Sequence, residues 1–369
     1  MEGTYRADHI GSLLRPVEVK QARDAFRGGT INRRQLKAVE DRAIQVTLER
    51  QRRTGIDVFS DGEFRRSSFQ NDLAESVEGY IESEVPSVVR IWQGPGDHPQ
   101  EQGTNLVVGG KLRLKRRLTG EQTVFLNAHA PGPFKITLPS PNQFPAISYQ
   151  EGLTDKFYPT RSDLLWEIVG ILKAEVQALV SDGVSYIQLD APRYSYFVDP
   201  KWRQHLKDMG QDPDKLFQEA VRADNACLED AVQDGTTLAI HVCRGNNQSM
   251  WYAEGGYEPI AETLFGTLNV DRFLLEYDTD RAGNFEPLRF VPSNKMVVLG
   301  LVSSKDPTIE TADDLLRRID EASKYVALER LALSPQCGFA STEAGNLLTE
   351  DEQWRKLELV VEVARRVWG

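Results

Sequence analysis

Two cysteines and one histidine occupy positions where a folded chain could bring them together. His241 and Cys243 are separated by one residue in the apolar run TLAIHVC, and Cys337 follows the run LALSP. Because side chains alternate along a strand, His241 and Cys243 point to the same side if this run is a strand. An imidazole nitrogen and thiolate sulfurs are ligands that suit zinc. The alternative interpretation is a packed histidine beside an inert buried cysteine.

A carboxylate in the next apolar run adds a fourth candidate. Glu276 lies in RFLLEYD among mostly apolar residues. An unpaired buried carboxylate is costly, so Glu276 needs a partner. A metal held together with His241 is one possibility, and an ion pair with Arg272 or Arg281 is the other. We interpret the third cysteine, Cys227 in a helical pattern, as a small buried hydrophobic residue.

Three further polar segments follow apolar runs. Ile10, Gly11 and Ser12 end the first, Glu63 follows the second within SDGEF, and Asp190 ends SYIQLD. A tight turn that requires glycine is the alternative for the first segment, and a helix-capping carboxylate is the alternative for Glu63. A buried aspartate at a strand end favours a functional role for Asp190.

These residues fall at or near the ends of predicted strands that alternate with helical patterns. Eight βα units predict a (β/α)8 TIM barrel, although a doubly wound sheet would show the same alternation. We favour the barrel because polar residues recur at the carboxyl ends of its strands, where barrel enzymes place their chemistry. The predicted strands are Tyr5–Ile10, Ile56–Ser60, Phe134–Leu138, Ser185–Asp190, Leu238–Cys243, Phe273–Tyr277, Met296–Val302 and Leu331–Ser334.

Length and composition set the remaining bounds. We expect residues 1–369 to form one barrel domain, with residues 82–126 as a β-hairpin insertion after the second βα unit. The net charge of −11 argues against nucleic acid as the main partner, and three cysteines cannot form a disulfide framework. With neither a signal peptide nor a long apolar run, we expect a cytoplasmic protein without a membrane partner. The sequence is compatible with a homo-oligomer.

Six segments resemble one known family. HIGS, SDGEF, QLDAP, HVC, LLEYD and SPQCGFAS occur in the order seen in the catalytic domain of cobalamin-independent methionine synthases, and the similarity is greatest to the short, single-domain members. Epoxyalkane:coenzyme M transferase is a relative with the same architecture. The resemblance extends over nearly the whole chain. It implies a barrel enzyme that uses Zn²⁺ to transfer a methyl or alkyl group to a thiol.

The resemblance also implies roles for individual residues. The thiol substrate would be homocysteine, the donor a methylfolate-type molecule and the product methionine. Binding of the amino acid would involve the segment after the first strand, Glu63 at the substrate ammonium and Asp190 near the reacting centre. The implied zinc ligands are His241, Cys243, Glu276 and Cys337. The implied substrate-binding residues are Ile10, Gly11, Ser12, Glu63 and Asp190.

Three departures from the family pattern leave the donor open. The segment GLVSSKDP lacks the family histidine that is thought to shuttle a proton, so Lys305 or Asp190 is the candidate acid. One carboxylate is missing from Asp190-Ala191-Pro192, and TLPSPNQF lacks the tryptophan expected to stack on the folate. Trp92 or Trp251 could stack on a flat donor instead. The basic run KLRLKRR either grips an anionic tail or is a solvated hairpin face.

Other functions therefore stay in consideration. A zinc-dependent thiol alkyltransferase with another donor or acceptor, such as an epoxide opened by coenzyme M, would need the same metal ligands. A decarboxylase or lyase on the same barrel would need no metal. A structural zinc site usually has four closed protein ligands, commonly cysteines, and a glutamate at a barrel mouth fits that class poorly.

Overall fold

A computed structural model describes residues 4–84, 89–95, 101–103, 106–231 and 235–369 of the chain. It combines ten strands with twelve α-helices in these residues. The strands are β1 (Val77–Glu82), β2 (Val89–Ile91), β3 (Glu101–Gly103), β4 (Leu106–Leu114), β5 (Lys135–Pro139), β6 (Tyr186–Asp190), β7 (Thr237–Val242), β8 (Arg272–Glu276), β9 (Met296–Val302) and β10 (Leu331–Pro335). The helices are α1 (Val17–Arg27), α2 (Arg33–Thr54), α3 (Asn71–Ser76), α4 (Gly120–His129), α5 (Phe144–Ser148), α6 (Arg161–Ser181), α7 (Ser195–Val198), α8 (Pro200–Asp208), α9 (Pro213–Leu228), α10 (Ala261–Thr267), α11 (Ala312–Ser323) and α12 (Glu350–Trp368).

The strands β5 to β10 form one parallel sheet in the order β10-β9-β8-β7-β6-β5. Two segments join its outer strands. Ala7 forms a parallel bridge with Leu333 of β10, and Phe59 forms one with Phe134 before β5. The Asp57 N–H donates to the Ala7 carbonyl at 3.1 Å, which links the two segments. Eight segments thus close a ring, and the predicted TIM barrel is confirmed.

The first two predicted strands, Tyr5–Ile10 and Ile56–Ser60, are present only as these bridging segments. A side chain supplies part of their hydrogen bonding. The Asp57 carboxylate accepts the N–H groups of Arg6 at 2.5 Å and Ala7 at 2.9 Å. Because the side chain uses donors that a neighbouring strand would otherwise use, the ladder here is short.

The hairpin insertion lies between the second bridging segment and α4. Its strands β1 and β4 pair antiparallel, as do the short strands β2 and β3. The pairing begins at Val77, earlier than the predicted residue 82, and the end of the predicted segment is helical in α4. The apolar alternation in VEGYIE is weak, and the register shifts between Glu78 and Tyr80, so this strand was hard to recognise. Residues 96–100 of the predicted loop lie outside the described residues.

The barrel interior contains an apolar layer above a buried ion pair. Lys135 and Asp8 lie 2.7 Å apart with fully buried side chains, and the Gln188 amide oxygen accepts from the same lysine at 2.9 Å. This network supports the strand ends that carry the candidate site. The apolar layer contains Ile10, Val58, Tyr186, Ala239, Leu274, Val298 and Ala332.

The ends of α2 have clear local signals in the sequence. The Asn32 side chain accepts the Gln35 N–H at 3.0 Å and so caps the start of the helix. Gly55 ends that helix with a φ of 87°, which glycine adopts without strain. In the part of the chain that the structure describes, no helix is both long and apolar enough to cross a membrane.

Candidate metal centre

The structure brings His241, Cys243 and Cys337 together at the carboxyl end of the barrel. His241 lies near the carboxyl end of β7, and Cys243 directly follows that strand. Cys337 lies just after β10. The two sulfurs lie 3.7 Å apart, and the potential ligand atoms of all three residues lie within 4.8 Å of one another. All three side chains are buried. Strand alternation therefore aims the first two residues inward, and closure of the barrel adds the third.

One ring nitrogen of His241 is available to a ligand. Nδ1 lies 3.2 Å from the Leu274 carbonyl oxygen, an acceptor that favours a protonated Nδ1. Nε2 is buried and has no hydrogen-bond partner. A backbone carbonyl that fixes the tautomer in this way is typical of metal-binding histidines. The imidazole is thus oriented to offer Nε2 to a cation.

The two thiols differ in acidity. The hydrogen bond with Cys243 lowers the pKa of Cys337 well below that of an ordinary thiol, and His241 acts in the same direction. That hydrogen bond, together with burial, raises the pKa of Cys243. The group can therefore carry negative charge on sulfur, which is the form that coordinates a metal.

Glu276 is fully buried at the end of β8 but lies outside this group of ligand atoms. Its carboxylate accepts the Arg244 N–H at 2.7 Å and contacts Arg281 at 2.9 Å. Burial alone would raise the pKa of Glu276, but the charges of Lys305, Arg281 and Arg244 lower it to about 2. Of the two predicted arginine partners, Arg281 is therefore the one found. The other, Arg272, lies near Asp8.

The three thiol and imidazole groups face a cavity of about 190 Å³. The predicted substrate-binding residues Ile10, Ser12, Glu63 and Asp190 line the same cavity. Gly11 supports its wall without lining it. With φ at 131°, a Cβ on Gly11 would meet Thr137 at 2.8 Å, so glycine is needed here for both reasons. The four lining residues are brought together as expected for a single site.

Glu63 presents an unpaired oxygen at this cavity. Its Oε1 accepts the Thr137 hydroxyl at 2.8 Å and contacts Arg66 at 3.2 Å, whereas its buried Oε2 has no hydrogen-bond partner. A cationic group of a ligand would satisfy that oxygen. The backbone at Glu63 has a φ of 62°, which is unusual for a residue with a side chain and is consistent with a functional position.

Asp190 lies beside His241 in the register of β6 and β7. Its Oδ1 accepts the Gln188 amide at 2.7 Å. Burial raises the pKa of Asp190 to about 7, and the nearby charge of Glu63 adds to the rise, whereas His241 opposes it. Asp190 can therefore hold or release a proton near neutral pH.

Lys305 lies in the loop that follows β9. Its side chain is buried, and its Nζ has no hydrogen-bond partner. Its charge lowers the pKa values of Glu276 and Cys337. Of the two candidate acids, Asp190 lines the cavity and Lys305 does not.

The two candidate tryptophans have different positions. Trp92 is buried, lines the cavity and packs edge-on against Tyr252 at 5.2 Å. Trp251 packs instead against Arg281, with 4.5 Å from the guanidinium to the ring centre. In the basic run, Arg113 is exposed and Arg117 pairs with Glu175. The run thus forms a solvated, partly ion-paired face of the hairpin.

Several polar residues of the site were missed by the sequence predictions. Arg66 pairs with both Glu63 and Asp72, the latter at 3.1 Å. Gln143 and Asn246 line the cavity, and each has a buried side-chain oxygen without a hydrogen-bond partner. Asn246 follows HVC by three residues and could have been noticed there. No local pattern distinguishes the other residues, because they reach the cavity from separate loops.

The fold and these groups define a barrel enzyme with buried thiol and imidazole side chains at its carboxyl-terminal mouth. The profile described as "Cobalamin-independent synthase, Catalytic domain" matches residues 6–366. The chain belongs to this family, and it is a transferase. The expected family resemblance is confirmed.

Individual relatives cover almost the whole chain. Two uncharacterized proteins of Bacillus subtilis, YxjG and YxjH, are 41% and 39% identical, each covering 99% of this chain and 95% of its own length. A structure from Listeria monocytogenes, named as a candidate vitamin-B12-independent methionine synthase, superposes with a TM-score of 0.74 at 30% identity. That match covers 99% of this chain and 98% of the Listeria chain.

Proposed function

We propose that this enzyme transfers a methyl group from a methylfolate-type donor to the thiol of homocysteine, forming methionine. One observation carries the proposal. The imidazole and two thiols of His241, Cys243 and Cys337 lie within 4.8 Å of one another and face the cavity that Glu63 also lines. A thiol-activating centre and a carboxylate for an amino group thus share one cavity. The name of the Listeria relative supports the same reaction.

The residues present fit a zinc ion. His241 offers a buried Nε2 without a partner, and the two sulfurs provide soft anionic donors. His241, Cys243 and Cys337 would hold the metal, and we propose Glu276 as the fourth ligand. When bound, zinc would supply a positive charge that keeps a substrate thiol deprotonated at neutral pH. In the structure Arg281 holds the Glu276 carboxylate at 2.9 Å, so Arg281 would orient this proposed ligand and offset its charge.

The amino-acid end of homocysteine would bind at the barrel mouth. Its ammonium would contact the free Oε2 of Glu63, which is buried and needs a charged donor. We propose that the backbone of Ile10 and Gly11 and the hydroxyl of Ser12 hold the rest of the amino acid. Ile10 and Ser12 line the cavity, and the required glycine lets the chain turn between them.

The methyl transfer needs an acid as well as a nucleophile. The sulfur attacks the methyl carbon, the bond from that carbon to the donor nitrogen breaks, and its electron pair stays on nitrogen. A proton on that nitrogen makes it a better leaving group. We propose that Asp190 supplies the proton, because it lines the cavity and its pKa is raised to about 7. Lys305 would offset the negative charge of the sulfurs, because its charge lowers the pKa of both cysteines.

A thiol alkyltransferase with another donor is the second candidate. The loop after β9 contains Ser303, Ser304 and Lys305 and no histidine, so the proton donor differs from that of the resembling synthases. An epoxide needs a proton on its oxygen when a thiol opens it, and Asp190 could supply this proton too.

A donor screen tests the proposal. The zinc-loaded enzyme is incubated with homocysteine and, in turn, methyltetrahydrofolate monoglutamate, its triglutamate, methylcobalamin and a short epoxyalkane. Mass spectrometry then identifies the products. Methionine from a methylfolate is expected for the wild-type enzyme. Cys243→Ser should lose this product, and Cys227→Ser should form it as the wild type does. An alkyl thioether from the epoxide alone would support the second candidate and contradict the first.

A further inference from the structure

Among the described residues, two arginines near the cavity have no acidic partner. Other arginines of the barrel are ion-paired, as Arg66 is with Asp72 and Arg281 is with Glu276. Arg15 and Arg244 have no ion pair, but each donates to backbone carbonyl oxygens. Among the described residues, the polar contact found for Arg90 is from its Nε to the Tyr196 hydroxyl at 2.9 Å, and its buried Nη2 has no hydrogen-bond partner. Arg193 contacts the face of the Tyr196 ring at 4.7 Å. Arg90 and Arg193 differ from these arginines because, among the described residues, their polar and cation–π contacts are to aromatic side chains.

Both guanidinium groups lie against one aromatic side chain. The Tyr196 hydroxyl accepts a hydrogen bond from Arg90, and Arg193 packs over the Tyr196 ring. Tyr196 also stacks on Trp202, with 4.0 Å between the ring centres. Arg90 also packs over Tyr252, with 5.1 Å from the guanidinium to the ring centre. The aromatic rings hold the two charges in place without neutralising them.

The two arginines line two separate cavities. Arg90 lines the cavity of about 190 Å³ that contains the metal ligands. Arg193 lines a neighbouring cavity of about 100 Å³, together with Tyr196 and Trp202. A ligand that reaches from the reacting centre past Arg90 would therefore arrive at Arg193.

The charge of Arg193 is destabilised by its surroundings. Burial lowers the pKa of Arg193 to about 10, and the positive charges of Arg90 and Arg161 act in the same direction. An anion placed beside these guanidinium groups would offset both the burial and the mutual repulsion. Planar guanidinium groups bind carboxylate, phosphate and sulfonate oxygens through paired hydrogen bonds.

We infer that Arg90 and Arg193 form a binding site for an anionic group of the substrate that reacts in the adjoining cavity. The inference rests on the proposed function, because it takes that cavity to be the reaction site. The anion lies at the end of the substrate remote from the reacting carbon or sulfur. Two sources share this chemistry, namely the carboxylate tail of a folate-type donor and the sulfonate of a thiol such as 2-mercaptoethanesulfonate.

Binding measurements by calorimetry test the inference without turnover. The probes are methyltetrahydrofolate triglutamate, the monoglutamate and 2-mercaptoethanesulfonate, each titrated into wild type, Arg193→Gln and Arg113→Gln. Arg113 is an exposed arginine of the hairpin, so its substitution removes the same charge elsewhere. If the site binds the carboxylate tail of the donor, Arg193→Gln should bind the triglutamate about 10- to 100-fold more weakly than wild type. If it binds a sulfonate, the same loss of affinity should appear for 2-mercaptoethanesulfonate. The Arg113 variant should bind both as wild type does.

Further variants separate a binding role from a folding defect. Arg193→Lys keeps the charge but loses the paired hydrogen bonds, so it should bind between wild type and Arg193→Gln. Arg90→Gln should weaken the same probe. Zinc content and homocysteine binding, measured on each variant, report on the proposed function separately. If Arg193→Gln keeps its zinc and binds all three probes as tightly as wild type, the anion site is wrong whatever reaction the enzyme catalyses.

Discussion

The carboxylate of Glu276 is held by Arg281 at 2.9 Å on the edge of the histidine–cysteine group. The charges of Lys305 and Arg281 keep the glutamate ionised although it is fully buried. In the proposed function Glu276 would be the fourth metal ligand, and Arg281 would orient it. The same ion pair is therefore expected to contribute to folding stability and to position a proposed metal ligand.

The stability contribution of this pair can be measured. Glu276→Ala removes a fully buried carboxylate that faces the charges of Lys305, Arg281 and Arg244, although Arg281 keeps Asp278 as a partner. We expect a loss of about 3 kcal/mol in the free energy of unfolding, because three cations then share a buried site with one carboxylate fewer. Urea unfolding of the metal-free protein gives the value. The control is Glu286→Ala, whose exposed contact with Arg289 at 3.8 Å should contribute less than about 1 kcal/mol. Equal losses in the two variants would contradict the assignment.

Metal content should depend on two of the three cysteines. Cys243→Ser and Cys337→Ser each remove a sulfur of the group within 4.8 Å, so each should purify with much less zinc than wild type under reducing conditions. Elemental analysis by mass spectrometry measures this. Cys227→Ser is the matched control, because this buried cysteine contacts the Val169 carbonyl, far from the group in the fold. Zinc in equal amounts in all three variants would exclude the proposed centre.

Glu63 should select thiols that carry an amino group. Glu63→Gln keeps an oxygen for the Thr137 hydroxyl but removes the charge that an ammonium needs. We expect KM for homocysteine to rise about 10- to 100-fold, while KM for 3-mercaptopropionate, which lacks the amine, changes little. Steady-state kinetics with both thiols provide the comparison. Glu121→Gln, which alters a surface contact with Arg33, should leave both values unchanged. A parallel rise for the two thiols would refute the role.

Asp190 should set the alkaline limb of the pH–rate profile. Its carboxyl group, with a pKa raised to about 7, is protonated below that pH and loses its proton above it. If Asp190 donates the proton, kcat should fall as pH rises through about 7. Asp190→Asn should lower kcat by about 10²-fold or more and abolish this limb. Lys305→Gln should keep the limb even if its rate is lower. Loss of the limb in the lysine variant alone would transfer the role to Lys305.

His9 should make the barrel less stable in acid. Burial lowers the pKa of His9 to about 4, and the charge of Lys135 contributes to the shift. The folded protein thus prefers the neutral ring, so this contribution to stability is complete above pH 6.5 and is lost as pH falls towards 4. His9→Gln should flatten the decline in unfolding free energy between pH 7.5 and 5 by roughly 1–2 kcal/mol.

The exposed histidine His205 provides the control for this comparison. His205→Gln should show the wild-type decline with pH if the buried His9 ring is its source. Urea titrations at several pH values measure each slope. An unchanged slope in His9→Gln would mean that the buried ring does not carry the effect.

Much of the fold was predictable because the chain encodes it locally. The strand Met296–Val302 was predicted with the boundaries observed. Strand alternation also predicted that His241 and Cys243 share one face, because this depends only on the strand itself. The first two strands and the start of the hairpin were less well predicted, since Asp57 and a shifted register replace the regular hydrogen bonding there.

The candidate site was predictable only in its residue types. The sequence determined that His241 and Cys243 share a strand face and that polar residues end the strands, because the two-residue period of a strand is a local property. The tertiary structure decided that Cys337 joins them, that Glu276 is paired with Arg281 rather than Arg272, and that Arg90 reaches the cavity. These contacts join residues far apart in the chain, and closure of the barrel and packing of the hairpin bring them together.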